Sequence, residues 1–255
     1  VPTMGALHQG HLSLVKFAQG HADRVAATIF VNPTQFAPGE DLDNYPRTLE
    51  ADLAALESAG CDVVFVPDVT IMYPAGSVTQ VSVPGPISET LEGEHRPHFF
   101  GGVATVVTKL LASAQADVAV FGEKDYQQLH VIKRLTSDLL LGTEILGAPT
   151  IRAEDGLALS SRNAYLSEEE RAIAPSLNKA LIAARDAILK GQAPKAATDE
   201  AVRSIQKAGF GEADYIAYRS ADDLSEPQTT QAKGQGRLLA AAWLGSTRLI
   251  DNIAV

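Results

Sequence analysis

Apolar positions follow two textures along this chain. Up to about residue 150, short β-branched runs alternate with stretches at helical spacing. RVAATIFV (24–31), DVVFVP (62–67) and DVAVF (117–121) are short, continuous and apolar, which predicts strands buried on both faces. Between them, apolar residues recur every three or four positions over 12–22, 48–59, 103–114 and from 122 to about 140, which predicts amphipathic helices. Thr48 is a candidate cap for the second of these, with Leu49, Leu53 and Leu56 on one face and Gly60 at its end. Residues 78–83 alternate and predict a short edge strand, and 144–146 a further extended piece. Strand–helix–strand–helix–strand order implies a parallel sheet with right-handed crossovers.

The texture changes after Asn163. Ser167-Glu168-Glu169-Glu170 has the form of a capping box. Pro175 should end the helix it opens, and 177–189 and 196–208 are amphipathic and Ala-rich. Residues 215–218, 237–244 and 247–255 read as strands without intervening helices, the pattern of a mixed or antiparallel sheet. The expected fold is therefore α/β with helices on both faces of a parallel sheet in residues 1–150, followed by a smaller α+β domain in 151–255.

Composition narrows the function. The chain has 255 residues, 45% of them hydrophobic and 20% charged, which is ample for a core and unlike a disordered segment. A net charge of −10 argues against a nucleic-acid or anionic-membrane surface, while leaving room for a locally positive site. Cys61 is the only cysteine, so no intrachain disulfide forms and a reducing compartment such as the cytoplasm is expected. No apolar run reaches the about 18 residues that span a bilayer, and no secretory signal pattern is present. A ligand-site turn directly after Val1 leaves little supporting strand, so we expect the native protein to carry an upstream segment.

VPTMGALHQGH (1–11) reads as a strand end, a tight turn and a helix start. Unpaired helix N–H groups and the helix dipole there would favour a phosphate, and Gly10 lets a ligand approach the backbone. His8 and His11, three apart, share a face and suit charge stabilisation on a transferring phosphoryl group; the same spacing also occurs in ordinary surface pairs. H-x-G-H resembles the ATP-binding signature of nucleotidylyltransferases and class I aminoacyl-tRNA synthetases. Asn32 and Gln35 follow the second strand at its carboxyl end, where doubly wound sheets bind ligands, and are uncharged groups able to orient hydroxyls and carboxylates. FGEKDYQQ (121–128) repeats the strand–turn–helix plan, with Lys124 as a phosphate-neutralising charge and Gln128 one turn on. Arg96 is a candidate carboxylate or phosphate ligand, and Ser160, Ser161 and Arg162 offer donors for phosphate oxygens. Each cluster taken alone also reads as a solvated polar turn.

Taken together and in order, VPTMGALHQGH, IFVNPTQF, EDLDNYPRTLEADL, FGEKDYQQ, GLALSSRNAYLS and the closing RLIDNIAV resemble the pantothenate synthetase (pantoate–β-alanine ligase) family over the whole chain. The resemblance implies a Rossmann-like domain with a smaller C-terminal lid, usually dimerised and cytoplasmic. It implies ATP-dependent joining of (R)-pantoate to β-alanine through a pantoyl adenylate, with Mg²⁺ and release of AMP and pyrophosphate. His11 matches the family's proton donor, His8 the second signature histidine, and Lys124 the phosphate-neutralising lysine. Met4, Gly5, Ala6, Leu7, His8, Gln9, Gly10 and His11 match ATP-contacting positions, as do Gly122, Glu123, Lys124 and Asp125. Ile151, Leu159, Ser160, Ser161 and Arg162 match the rest, the last three where a second ATP motif would close over the phosphates. Gln35 and Gln128 match the glutamines that grip pantoate, with Asn32 beside them; metal ligands are not implied. Departures are confined to Gln9, residues 36–39, Glu94-His95 and Ile151, where valine is common. The alternatives are a nucleotidylyltransferase acting on a small phosphorylated acceptor and a nucleotide-binding module without catalysis.

Overall fold

A computed structural model describes residues 1–37, 39, 40, 42–227 and 234–255. Pro38 of the variable 36–39 loop and Asp41 of the EDLDNYPRTLEADL motif lie outside the described residues. The chain divides into two compact units, Val1–Ile151 and Arg152–Val255.

In the first unit, β1 (Pro2–Thr3), α1 (Gln9–Ala18), β2 (Ala26–Ile29), α2 (Leu49–Ser58), β3 (Val63–Phe65), single turns α3 (Val69–Met72), α4 (Pro86–Glu89) and α5 (Glu92–His95), α6 (Phe99–Ala114), β4 (Val118–Gly122), α7 (Tyr126–Asp138) and β5 (Glu144–Ala148) succeed one another. β1, β2 and β3 pair in that order, and β4 pairs with β5, all parallel, with Pro2 opposite Thr28 and Val118 opposite Glu144. Alternation along β4 builds two cores. Val120 packs with Leu14, Val15 and Leu56 on one face, and Ala119 and Phe121 with Val107, Ile132 and Leu135 on the other. Helices on both faces and a parallel sheet are thus as expected.

Three local expectations fail for physical reasons. Residues 78–83 form no strand; Val81 donates its N–H to Thr105 Oγ1 at 2.9 Å, so a side chain on α6, not a ladder, tethers the segment. Thr48 makes no side-chain cap on α2, because its hydroxyl donates to Asp52 Oδ1 at 3.2 Å. α1 begins a turn earlier than the apolar face suggests, since His8 caps it.

In the second unit, α8 (Glu168–Ile173), α9 (Ser176–Leu189) and α10 (Pro194–Ala208) precede an antiparallel sheet of β6 (Ala213–Ser220), β7 (Gly236–Leu244) and β8 (Thr247–Ala254), with β7 central. The capping box forms: Ser167 Oγ accepts the Glu170 N–H at 3.2 Å and Glu170 Oε2 accepts the Ser167 N–H at 2.9 Å. Arg152 grips Asp251 with two bonds of 2.7 and 2.8 Å and donates to the Gly156 carbonyl at 3.1 Å, which ties the start of the unit to β8. No helix among the described residues is long and apolar enough to cross a membrane.

Candidate active site

The β1–α1 turn is left-handed at two successive residues, Gly5 (φ 81°) and Ala6 (φ 49°), before His8 returns to an extended backbone (φ −137°, ψ 175°) as the cap of α1. His8 Nδ1 accepts the Gly10 N–H at 3.1 Å, and His11 Nδ1 accepts the His8 N–H at 3.3 Å. The two rings lie 4.1 Å apart. An Nδ1 that accepts leaves the proton on Nε2, so each neutral ring turns an N–H away from the backbone. Protonation would place a second proton on the accepting Nδ1. Burial, then the Lys124 charge, push His8 down to about 4 against a smaller upward pull from Asp125. Burial, then His8 and Lys124, push His11 down to about 3. Both rings are therefore neutral at pH 7.

The helix start is corrected by this geometry. Ala6 and Leu7 donate their N–H groups to Asp52 at 3.0 and 2.8 Å, and those of His8 and Gly10 go to the imidazoles. Four backbone amides of the turn are thus engaged inside the protein, and the imidazole Nε2–H groups, turned away from the backbone, are the side-chain donors of the turn.

The protonation states fix a pH dependence. Each histidine's folded value lies below the ordinary 6.5, so below about 6.5 the unfolded chain binds more protons than the folded one. Their contribution to stability is complete above that pH and is lost as pH falls through about 4 and then about 3. An NMR titration should find both imidazoles neutral at pH 5; two midpoints near 6.5 would contradict this arrangement.

Lys124 sits on a 3-10 turn, Glu123–Asp125, between β4 and α7, with its side chain 19% exposed and its Nζ 4.0 Å from Asp125 Oδ2. It acts electrostatically on both imidazoles, so the turn after β4 and the start of α1 share one electrostatic neighbourhood. Among the described residues no three His, Cys, Asp or Glu gather as a metal cage.

The uncharged residues lie nearby in the fold. Gln35 ends the 3-10 turn Pro33–Gln35, and its Nε2 donates to Met4 Sδ at 3.0 Å. Asn32, 1% exposed, donates to Gln35 Oε1 and the Gly102 carbonyl, each at 3.2 Å, and its own carbonyl accepts from Tyr73 at 2.8 Å and from Thr34. Its amide is engaged inside the protein, which suits holding Gln35 and not meeting a ligand directly. Gly102 is required here: a Cβ would stand 2.4 Å from the Thr34 carbonyl oxygen, so α6 packs on this turn only through glycine. Gln127 is buried and pins α4 and α5 through Glu92 N, Ile87 O and Thr90 O at 3.0, 3.1 and 2.7 Å. Gln128 is half-buried on α7, and its side chain makes no protein hydrogen bond among the described residues.

Arg96, a candidate ligand group in the sequence, is engaged inside the protein. Its guanidinium, 13% exposed, bonds Glu40 at 2.6 and 3.0 Å, Glu92 at 3.1 Å and the Gln35 carbonyl at 3.2 Å, and lies 4.1 Å over the Phe99 ring. It clips three loops together; of these partners only Glu92 lies within LEGEHRPHF, while Glu40 and the Gln35 carbonyl are more than fifty residues away. Ser160, in the second unit, caps the 3-10 turn Ser161–Tyr165 by accepting the Arg162 N–H at 3.3 Å; Asn163 Nδ2 donates to the Ala158 carbonyl at 3.0 Å. Asp52 was missed by the sequence reading, although it stands inside the EDLDNYPRTLEADL motif.

Comparison with known proteins adds the family. The family model described as Pantoate-beta-alanine ligase matches residues 1–254. The chain is 60% identical over 256 residues to a pantothenate synthetase of Caulobacter vibrioides, covering all of this chain and 90% of that one. It is 55% identical to one from Mesorhizobium japonicum, again covering all of this chain and 89% of the relative. A crystal structure of pantothenate synthetase from Thermus thermophilus superposes with a TM-score of 0.91 at 46% identity, over 99% of this chain and 91% of that one. The pantoate-beta-alanine ligase of Francisella tularensis, complexed with Beta-gamma ATP and beta-alanine, gives 0.82 at 36% identity, over 99% and 87%.

Proposed function

This chain belongs to the pantoate–β-alanine ligase family, and from that premise we propose how its residues divide the work. The reaction is the ATP-dependent condensation of pantoate with β-alanine. In the first step a pantoate carboxylate oxygen bonds to the α-phosphorus of ATP, the bond to the bridging oxygen breaks, and pyrophosphate leaves with the electron pair. In the second the β-alanine amine bonds to the acyl carbon and loses a proton, and AMP leaves. Negative charge grows on phosphoryl oxygens in the first step, so positioned donors matter more than a protein nucleophile. His8 and His11 supply Nε2–H donors, and Lys124 the positive charge. A triphosphate beside the rings would raise their proton affinity, and that is the condition under which His11 could act as the acid the resemblance assigns. The observation that carries the reading is this neutral histidine pair in the field of Lys124.

Gln35 and Gln128 are proposed to hold pantoate, with Asn32 fixing the Gln35 amide from behind. Gln35→Ala should raise the KM for pantoate at least tenfold while the KM for ATP changes little; equal losses for both would contradict the role. The remaining nucleotide contacts, at Met4–Leu7, Gln9, Gly10, Gly122, Glu123, Asp125, Ile151 and Leu159–Arg162, are proposals from motif position. Mg²⁺ keeps several non-protein ligands when it travels on phosphates, which suits a site without a protein cage; Asp125, partly exposed beside Lys124, is the carboxylate offered to it. There it would neutralise charge on the leaving pyrophosphate. A homodimer and a cytoplasmic location are proposed from the resemblance and from the single cysteine. Neither the nucleotidylyltransferase nor the binding-module alternative gains support from the relatives found. The deciding assay incubates the protein with ATP, Mg²⁺ and pantoate, with and without β-alanine. Pyrophosphate release that needs pantoate, and AMP plus pantothenate formed only with β-alanine, are expected; nucleotide transfer to a phosphate would overturn the reading.

A further inference from the structure

Asp52 is 3% exposed on α2 and has no ion-pair partner among the described residues. Its carboxylate accepts three hydrogen bonds: the Ala6 N–H on Oδ2 at 3.0 Å, and the Leu7 N–H and Thr48 hydroxyl on Oδ1 at 2.8 and 3.2 Å. Two consecutive backbone donors converge on it because Gly5 and Ala6 are both left-handed, and successive amides in such a turn form a concave anion seat. Ala6 carries a Cβ in a region that only glycine adopts without strain, so something outside the turn must hold it there. A Cβ on Gly5 would also come within 3.0 Å of Asp52 Oδ2 and 3.2 Å of Ile29 Cγ2, so the turn is pressed against both. That anion seat is filled from within, by a carboxylate of the same chain.

What lies on either side of the turn gives the carboxylate its consequence. One residue before it, Met4 receives the Gln35 amide; one residue after it, His8 caps α1 and is locked to His11. We propose that Asp52 is a positioning residue for the adenylation step, holding the 5–7 turn in its left-handed form so that the Gln35 amide and the two imidazole Nε2–H groups are set at once. The proposal rests on the assignment of His8, His11 and Gln35 given above. Asp52 touches neither substrate, and its effect passes through the backbone.

Asp52→Asn is the near-isosteric test: the amide keeps one acceptor and turns two hydrogens toward a backbone N–H that already donates. In the folded variant, kcat for pyrophosphate release from ATP and pantoate is expected to fall at least tenfold. KM for ATP and for pantoate should rise together, and KM for β-alanine should hold. A second readout needs no turnover. At pH 7.5 the ¹⁵N shifts of His8 and His11 should report the Nε2–H tautomer in the unaltered protein and a mixture of tautomers in the variant, with faster amide exchange at Ala6 and Leu7. If the single variant does not fold, Asp52→Asn with Ala6→Gly removes the strain and is read in the same way. Wild-type kcat per folded molecule, or unchanged tautomers and exchange, would overturn the proposal. Absence of pyrophosphate release by the unaltered protein would instead sink the functional reading and leave the tautomer test standing.

Discussion

Lys124→Ala is expected to lower pyrophosphate release from ATP and pantoate by about 100- to 1,000-fold, the range typical for losing one preorganised electrostatic donor. The reason lies in the neutrality of the histidines. With both imidazoles uncharged, Lys124 brings the formal positive charge to their neighbourhood, and it is mostly shielded from solvent screening, at 19% exposure. The loss should fall on kcat more than on KM for pantoate, because charge develops on the phosphoryl oxygens in the transition state. The fold should survive: the residue sits on a turn outside the two hydrophobic clusters. Removing the charge also removes one of the causes holding the imidazoles down, so the midpoints of His8 and His11 should both rise. A loss below tenfold, with unchanged histidine titrations, would mean that the phosphates are neutralised elsewhere.

The parts of the fold that sequence made legible are those whose cause is local. β4 reads as buried on both faces because DVAVF is apolar throughout, and Val120 and Phe121 do face opposite cores. The Ser167–Glu170 capping box is a four-residue device and forms as written. The illegible parts depend on side-chain partners that spacing alone does not assign, whether four residues away or far along the chain. Residues 78–83 alternate like a strand, yet a hydroxyl on α6 holds them. Arg96 looks like a free loop cation, yet carboxylates of Glu40 and Glu92 saturate it. Thr48 looks like a cap, yet its proton goes to Asp52. In the candidate site, the two strand–turn–helix units and the histidines and lysine they carry were readable, and both units form. The protonation of the histidines was not readable, because it follows from burial and from a lysine far along the chain. The backbone amides of the first turn were expected to await a phosphate, and only the fold shows an aspartate already seated on them.

That distinction separates two jobs of His11, and a pair of substitutions should resolve them. Its Nδ1 caps the helix by accepting the His8 N–H, while its Nε2–H has no protein hydrogen-bond partner among the described residues. In His11→Asn the side-chain carbonyl occupies the place of Nδ1 and can accept the same N–H, but nothing reaches where Nε2 stood. Unfolding temperature should then stay within a few degrees of the unaltered protein, while adenylation falls about 100- to 1,000-fold. His11→Ala removes the cap as well. It should show the same kinetic loss with a further destabilisation of about 1 kcal/mol, the ordinary worth of a capping bond. Calorimetry and pyrophosphate release on the two variants make the comparison. If asparagine restores activity along with stability, the imidazole serves the helix alone, and the transferred charge must be met by Lys124 and His8 without it.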